Sequence, residues 1–258
     1  MAPGDRTVLL LGGSTEATQL ARLAAASPEV TLNVSFAGRT AARAPMPDGV
    51  VVRVGGFGGP DGLQRHLESN AIEALVDATH PFSARMPFNA AAAALAAGIP
   101  RVRVLRPPWT PQAGDRWTAV LSVTEAAAAV EASGARNVLL TIGRQELAPF
   151  AACGRARLVA RCIDPPEAGV LDRAEIILAR GPFAVEDEVE LLRRHDIDLV
   201  VSKNAGGAAT EAKLAAARRL GLPVVMVQRP PVPAGPTVPT PADAMAWLDG
   251  VLLASVDR

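Results

Sequence analysis

A run of small residues near the amino terminus could receive a phosphate group. The run Gly12–Ala17 reads Gly-Gly-Ser-Thr-Glu-Ala, follows an apolar stretch of strand length and precedes a stretch with helical periodicity. Gly12 and Ala17 match the dinucleotide-binding pattern Gly-x-Gly-x-x-Gly/Ala, in which Ser14 stands in for the second glycine. Small residues there let a pyrophosphate approach the backbone N–H groups at a helix N-terminus. The alternative is a glycine turn in which Ser14 or Thr15 merely caps the helix.

The residues after the second predicted strand bear on which dinucleotide would bind. Sites that prefer NAD carry an acidic residue about 20 positions past the glycines, where it binds the ribose hydroxyls. Here the segment 35–40 reads Ser-Phe-Ala-Gly-Arg-Thr, with Arg39 and no acid. A guanidinium beside a hydroxyl suits a 2′-phosphate, so Gly38 and Arg39 indicate NADP. The alternative is that Arg39 is one of many surface arginines.

Two other loops carry side chains that could hold or move a proton. His80 lies in the segment 77–83, Asp-Ala-Thr-His-Pro-Phe-Ser, and an imidazole titrates close to neutral pH. Lys203 is one of only two lysines and lies in the segment 202–207, Ser-Lys-Asn-Ala-Gly-Gly, where it could bind a carboxylate or supply a proton. The alternatives are a histidine that only hydrogen-bonds its neighbours and an incidental lysine in a glycine-rich connection. Arg144 and Arg180 follow other predicted strands and could bind anionic groups.

Composition excludes several functional classes. The chain has 258 residues with 26 basic and 26 acidic side chains, so it lacks the basic surface typical of nucleic-acid binding. The longest apolar runs are of strand length, far short of the ~20 residues that span a membrane, and Met1–Asp5 does not begin a secretory signal. We therefore expect a cytoplasmic protein without nucleic-acid or membrane partners.

Missing motifs narrow the chemistry further. The chain contains no Tyr, which excludes the Tyr-Lys pair of short-chain dehydrogenases, and it has neither a P-loop nor a His-Glu-x-x-His motif. The two cysteines, Cys153 and Cys162, are too few for a disulfide framework or a zinc knuckle. We expect no metal site.

The elements that must position these residues alternate between strand and helix. The predicted strands are Thr7–Leu11, Leu32–Phe36, Val50–Val54, Ala74–Asp77, Arg101–Leu105, Asn137–Thr141, Leu158–Cys162, Glu175–Ala179, Leu199–Ser202 and Val224–Gln228. Helical stretches between them imply βαβ crossovers and parallel sheets. The run Arg106–Pro111, Arg-Pro-Pro-Trp-Thr-Pro, interrupts this pattern. The sequence thus predicts an α/β protein with two Rossmann-like parallel-sheet lobes and a cleft between them: a nucleotide-binding domain over 1–108 and a second α/β domain over 109–258.

Four blocks occur in a characteristic order over nearly the whole chain. They are Gly-Gly-Ser-Thr-Glu-Ala at 12–17, Asp-Ala-Thr-His-Pro-Phe at 77–82, Arg-Pro-Pro-Trp at 106–109 and Lys-Asn-Ala-Gly-Gly at 203–207. Together they resemble the precorrin-6A reductase family of cobalamin biosynthesis. Ser83 and Ala205 depart from the family pattern, which has Ala and Ser there. The resemblance implies NADPH-dependent reduction of one ring double bond of a tetrapyrrole, precorrin-6A, to give precorrin-6B.

The resemblance and the strand-end positions together yield three sets of predicted site residues. Residues predicted for catalysis are His80, as proton donor or positioner, Lys203, as substrate anchor, and Asn204, as a neutral hydrogen-bond partner. Residues predicted to bind NADPH are Gly12, Gly13, Ser14, Thr15, Glu16, Ala17, Gly38, Arg39 and Thr79. Residues predicted to bind the tetrapyrrole are Ser83, Arg144, Arg180, Gly206 and Gly207.

Two alternative functions stay open from the sequence. One is an NADH-dependent reductase of the cobalt-containing analogue, which belongs to a sister family. The other is a two-domain tetrapyrrole-binding or lyase protein that holds a polycarboxylate without a redox cofactor.

Overall fold

A computed structural model of the chain describes residues 6–27, 29–38 and 45–253. The strands are β1 (Arg6–Leu11), β2 (Val30–Phe36), β3 (Val51–Val54), β4 (Ala74–Asp77), β5 (Arg101–Val104), β6 (Arg116–Val120), β7 (Asn137–Thr141), β8 (Arg157–Cys162), β9 (Glu175–Leu178), β10 (Leu199–Lys203), β11 (Pro223–Val227) and β12 (Thr237–Val238). The α-helices are α1 (Thr15–Ala25), α2 (Pro60–Ser69), α3 (Met86–Ala96), α4 (Val123–Ser133), α5 (Val185–Arg194), α6 (Ala212–Arg219) and α7 (Pro241–Leu253). Short 3-10 helices cover Arg144–Glu146, Ala148–Ala152 and Ala208–Thr210.

The chain forms two compact units, each built on a parallel sheet. The first unit contains Met1–Arg106 and Pro230–Arg258, and the second contains Pro107–Arg229. The first sheet has the order β12-β5-β4-β1-β2-β3 and the second has the order β6-β11-β10-β7-β8-β9, with every pair parallel. The predicted α/β class with two parallel-sheet units is confirmed.

Alternating side chains of the first sheet build a core on each of its faces. Val8 and Leu10 of β1 pack on one face with apolar residues of α1 and α7, such as Leu20 and Leu248. Leu9 and Leu11 point to the other face, where they pack with α2 and α3. Both faces are therefore covered by helices, as a parallel sheet requires. The loops that follow its strands meet at the carboxyl edge of the sheet.

The end of the chain differs from the predicted domain division. The second domain was expected to run over 109–258, but β12 and α7 belong to the first unit. β12 pairs with β5, and Leu105 N donates to Val238 O at 2.9 Å. Ala244 and Leu248 of α7 complete the core on the α1 face. The physical reason is that α7 covers apolar surface which α1 alone leaves open. β6, an edge strand with several exposed residues, pairs with β11 in the second unit.

Within the described ranges, no helix is long and apolar enough to cross a membrane. The same residues contain no group of three or more His, Cys, Asp or Glu side chains placed to hold a metal ion.

A cluster of charged side chains is buried within the second unit. Arg161 of β8 forms an ion pair with Glu188 of α5, and its guanidinium lies 4.0 Å from the ring centroid of Phe183. Lys213 of α6 is 4% exposed and donates from Nζ to Thr210 O at 2.7 Å. Burial, and to a smaller extent the charge of Arg161, lowers the pKa of Lys213 to about 7, although Glu188 acts in the opposite direction.

We expect this lysine to make stability depend on pH. Because the pKa of Lys213 is lower in the folded protein than in the unfolded chain, the unfolded chain binds more protons above pH 7. The contribution of Lys213 to the free energy of unfolding should therefore rise with pH from about 7 to 9, by up to ~1.4 kcal/mol per pH unit. Urea denaturation of wild type and Lys213→Met at each pH measures this slope. If the free energies of unfolding of wild type and Lys213→Met change with pH in parallel over that range, Lys213 does not release its proton on folding.

Candidate functional site

The first candidate site lies where the order of the first sheet reverses. The chain runs from β1 to β2 and β3 on one side, then returns to place β4 on the other side of β1. Loops after β1 and β4 therefore diverge at this point, which is the usual ligand site of open parallel sheets. Gly12–Ala17 spans the loop after β1 and the first residues of α1, and Ala78–Ser83 forms the loop after β4; the sequence predicts cofactor and catalytic residues in these two segments.

Ser14 joins these two loops. It is the N-cap of α1, its Oγ accepts from Ala17 N at 3.3 Å, and the same hydroxyl donates to Ala78 O at 2.8 Å. The capping role proposed as an alternative for Ser14 is thus real. The hydrogen bond to Ala78 O is a second contact of the same hydroxyl. It holds the glycine turn, residues 12–14, against the loop 78–83 that carries His80, which we call the histidine loop.

The two glycines of the turn are required for different reasons. A Cβ on Gly12 would lie 2.6 Å from Cε1 of Phe36, so a side chain there would displace this aromatic ring. Gly13 has φ +140, and a Cβ there would lie 3.7 Å from the backbone N of His80. The turn therefore runs beside the histidine loop without side chains of its own at these two positions.

Asp77 shapes the histidine loop. Its Oδ1 accepts from Thr79 N at 3.0 Å and from Thr79 Oγ1 at 2.6 Å. The next residue, His80, is half-buried, and its Nδ1 accepts from Phe82 N at 3.2 Å. Since Nδ1 is an acceptor, the neutral ring carries its proton on Nε2. Ser83 closes the turn by donating from its backbone N to His80 O at 2.7 Å.

Arg103 is a partner of this loop that the sequence did not reveal. It lies opposite Asp77 in the register of β4 and β5, and its Nε is 3.7 Å from Asp77 Oδ2. Arg103 is 1% exposed and Asp77 is fully buried. Burial lowers the pKa of Arg103, while the charge of Asp77 opposes that change. The carboxylate that orients Thr79 is thus compensated by a buried cation on the neighbouring strand.

The remaining predicted cofactor residues of the first unit lie at the same edge or beyond the described residues. Glu16, in the first turn of α1, accepts from Arg106 Nη1 at 2.6 Å. Thr15 is exposed at the start of α1, and Gly38, with φ +78, is exposed just after β2. Arg39 lies outside the described residues.

These residues fit a dinucleotide cofactor. An 11-residue helix, α1, begins directly after a turn that has no side chain at Gly12 or Gly13. The dipole of this helix and the backbone N–H groups at its N-terminus favour an anion. Glu16 would repel that anion, but its charge is paired with Arg106. The turn could hold a pyrophosphate, and the loop at Thr79 and His80 is the neighbouring segment that could contact the rest of the cofactor.

The second candidate site lies at the equivalent reversal of the second sheet. The chain runs from β7 to β8 and β9, then places β10 on the other side of β7. Lys203, the last residue of β10, forms an ion pair with Glu146, which follows β7. Burial lowers the pKa of Lys203, whereas the hydrogen bond and the charge of Glu146 raise it. Glu146 was not predicted as a site residue, because it belongs to none of the recognised blocks.

The side chain of Asn204, which is predicted to act as a neutral hydrogen-bond partner in catalysis, binds the backbone of Trp109. Its Oδ1 accepts from Trp109 N at 2.8 Å and its Nδ2 donates to Trp109 O at 3.0 Å. Asn204 is 6% exposed, so its amide is buried against the backbone of Trp109. Arg229 holds the same loop by donating to Asn204 O at 2.9 Å and Ala205 O at 3.0 Å.

The other predicted substrate residues are distributed over the loops of the second unit. Gly206 has φ +68, and a Cβ there would lie 2.1 Å from Pro107 O, so its lack of a side chain serves packing. Gly207 is exposed at the start of a short 3-10 helix. Arg144 is half-buried and donates to Pro165 O at 3.0 Å, whereas Arg180 is exposed after β9.

Comparison with known proteins assigns the chain to a family. Residues 7–249 match the family model described as "Precorrin-6x reductase CbiJ/CobK". A precorrin-6A reductase of Rhodococcus erythropolis is 46% identical over 93% of this chain and 96% of its own length. One from a Sinorhizobium species is 50% identical over 86% and 84% of the two chains. A solved structure titled "CobK precorrin-6A reductase" superposes with a TM-score of 0.87, at 44% identity, over 95% of this chain and 97% of that chain. With two parallel-sheet units and this match over most of its length, the chain belongs to the precorrin-6x reductase family.

Proposed function

We propose that this protein reduces one ring double bond of precorrin-6A with NADPH, giving precorrin-6B, in cytoplasmic cobalamin biosynthesis. The observation that carries the proposal is the hydrogen bond from Ser14 to Ala78 O, which joins the glycine turn to the histidine loop. This bond supports the proposal because it holds a turn suited to a pyrophosphate against the loop that carries His80, whose backbone N would lie 3.7 Å from a Cβ on Gly13. Family membership supplies the class of substrate.

Sequence identity supports precorrin-6A over its cobalt-containing analogue. Relatives named precorrin-6A reductase are 42% to 50% identical to this chain. A cobalt-precorrin-6A reductase of Priestia megaterium is 30% identical, and one of Methanothermobacter thermautotrophicus is 26% identical. The larger identity to the first group favours the metal-free substrate.

The proposed chemistry needs a bound cofactor and one proton. A nicotinamide cofactor, when bound, would supply the hydride that the electrophilic conjugated macrocycle accepts. The protein must bind the anionic parts of the substrate and supply a proton to the reduced ring. We assign the proton, or its positioning, to His80, whose Nε2 carries hydrogen when the ring is neutral. Lys203 is assigned to a substrate carboxylate, because an ammonium held by carboxylates is a poor acid.

Cofactor preference tests the assignment of Arg39. Loss of a charge-assisted hydrogen bond to the 2′-phosphate costs on the order of 1.5–3 kcal/mol. We therefore expect Arg39→Ala to weaken NADPH binding about ten- to a hundredfold and to leave NADH binding nearly unchanged. Isothermal titration with each cofactor measures both affinities. Arg22→Ala, which removes an exposed arginine of α1, is the matched control. An equal weakening of both cofactors would assign Arg39 another role.

Cofactor binding itself separates the proposal from a redox-free tetrapyrrole-binding or lyase protein. The chain contains three tryptophans, so NADPH binding can be followed by protein fluorescence. We expect saturable quenching in wild type. Absence of saturable binding, with or without tetrapyrrole present, would favour the lyase or binding protein.

A further inference from the structure

The ion pair between Lys203 and Glu146 joins the two loops at the reversal of the second sheet. β7 and β10 are neighbours, with Thr141 opposite Ser202 in the register, and the chain leaves them in different directions. Lys203 is the final residue of β10. Glu146 ends a short 3-10 helix that begins after Gly143, a residue with φ +90. A sharp turn after β7 therefore brings a carboxylate to the end of β10.

Because the Lys203 ammonium is largely shielded from water, the carboxylate of Glu146 compensates its charge. The Lys203 side chain is only 13% exposed, and the Oε2 atom of Glu146, which contacts Nζ, is buried although the whole Glu146 side chain is 39% exposed. A buried ammonium without a counter-ion is costly and releases its proton. The pKa of Lys203 is lowered overall by desolvation, and the hydrogen bond and charge of Glu146 oppose this change.

Two arginines on segments adjacent to this pair donate to backbone carbonyls. The guanidinium of Arg229, which follows the adjacent strand β11, binds Asn204 O and Ala205 O. Arg144, in the same turn as Glu146, donates to Pro165 O. Both are cations, and neither can take the place of Glu146 as an anionic partner.

We propose that Glu146 is a positioning residue for Lys203, which it holds at the end of β10 and keeps protonated in the free protein. This inference rests on the proposed function in one respect only: that the positive charge of Lys203 binds a substrate carboxylate. A neutral amine would bind a carboxylate weakly, so the ammonium must be present before the substrate arrives. The exposed part of Glu146 leaves its carboxylate able to yield to a substrate carboxylate at the same nitrogen.

The small number of lysines in this chain permits a direct measurement of the pKa of Lys203. Lys203 and Lys213 are the only two lysines, so protein labelled with 13C-lysine gives two side-chain Cε resonances, which a Lys203→Met variant assigns. We expect the pKa of Lys203 to fall by about one pH unit or more in Glu146→Gln, because an opposite charge in contact has been removed. Glu146→Asp should restore most of the difference. Glu190→Gln removes a carboxylate from the exposed ion pair with Arg194 and is the matched control.

The titration of Lys203 tests the role of Glu146, whereas the reaction with substrate also tests the proposed function. Lys203 curves that superimpose in wild type and Glu146→Gln would overturn the proposal, whatever the protein catalyses. With the substrate, the basic limb of kcat/KM should move to lower pH in Glu146→Gln, while Glu146→Asp and Glu190→Gln stay close to wild type. A basic limb that does not move, in an active enzyme, would also overturn it. A wild-type protein that titrates as expected but reduces no tetrapyrrole would refute the proposed function and leave the role of Glu146 intact.

Discussion

Replacement of Asp77 by Ala is expected to lower the free energy of unfolding by about 3–5 kcal/mol. The substitution removes the counter-ion of Arg103, which is 1% exposed, and leaves a buried guanidinium without compensation. It also removes the acceptor of both Thr79 hydrogen bonds, so the loop that carries His80 loses its anchor. Urea denaturation followed by circular dichroism measures the change.

The double variant Asp77→Asn with Arg103→Met separates charge from geometry. It removes both buried charges and keeps an amide oxygen that can accept from Thr79. We expect it to be more stable than Asp77→Ala, because removal of a whole buried pair costs far less than removal of one partner. Asp61→Ala, at an exposed position in the first turn of α2, is the control for loss of a carboxylate alone. A loss below about 1 kcal/mol in Asp77→Ala would show that the pair does not hold this loop.

Replacement of His80 by Ala is expected to slow the chemical step by about 10²- to 10⁴-fold, the usual contribution of a positioned general acid. Single-turnover kinetics from pH 6 to 9 isolates this step from cofactor binding. His66→Ala is the matched control, since His66 lies on α2 and packs against Phe57, with ring centroids 5.0 Å apart. An unchanged chemical step across this pH range would remove His80 from the catalytic assignment.

The sequence predicted the elements that carry local signals. Alternation of apolar strands with helical stretches indicated two parallel sheets, and the blocks at 12–17 and 77–82 fall on the loops where the order of the first sheet reverses. The turns in such blocks can be predicted from sequence because a glycine turn and a helix cap depend on residues adjacent in the chain. Ser14 can donate to Ala78 O because the two blocks follow the neighbouring strands β1 and β4.

Partners that meet only through the fold could not be predicted in the same way. Arg103 and Asp77 are adjacent because β4 and β5 pair, and Glu146 reaches Lys203 because β7 lies beside β10. Asn204 was predicted as a neutral hydrogen-bond partner in catalysis because it follows Lys203, and the sequence did not indicate that its amide also binds the backbone of Trp109. β12 has only two residues, too short for a period of two to indicate which sheet it would join.

Hydride transfer from a nicotinamide cofactor to a tetrapyrrole is the central step of the proposed function. Purified protein should be incubated anaerobically with precorrin-6A and NADPH in which both hydrogens on C4 of the nicotinamide are replaced by deuterium, and the product analysed by mass spectrometry. We predict a product that has gained one deuterium and one solvent hydrogen per macrocycle, with one NADPH consumed. An unchanged macrocycle, or a reduced one that contains no deuterium, would contradict the account.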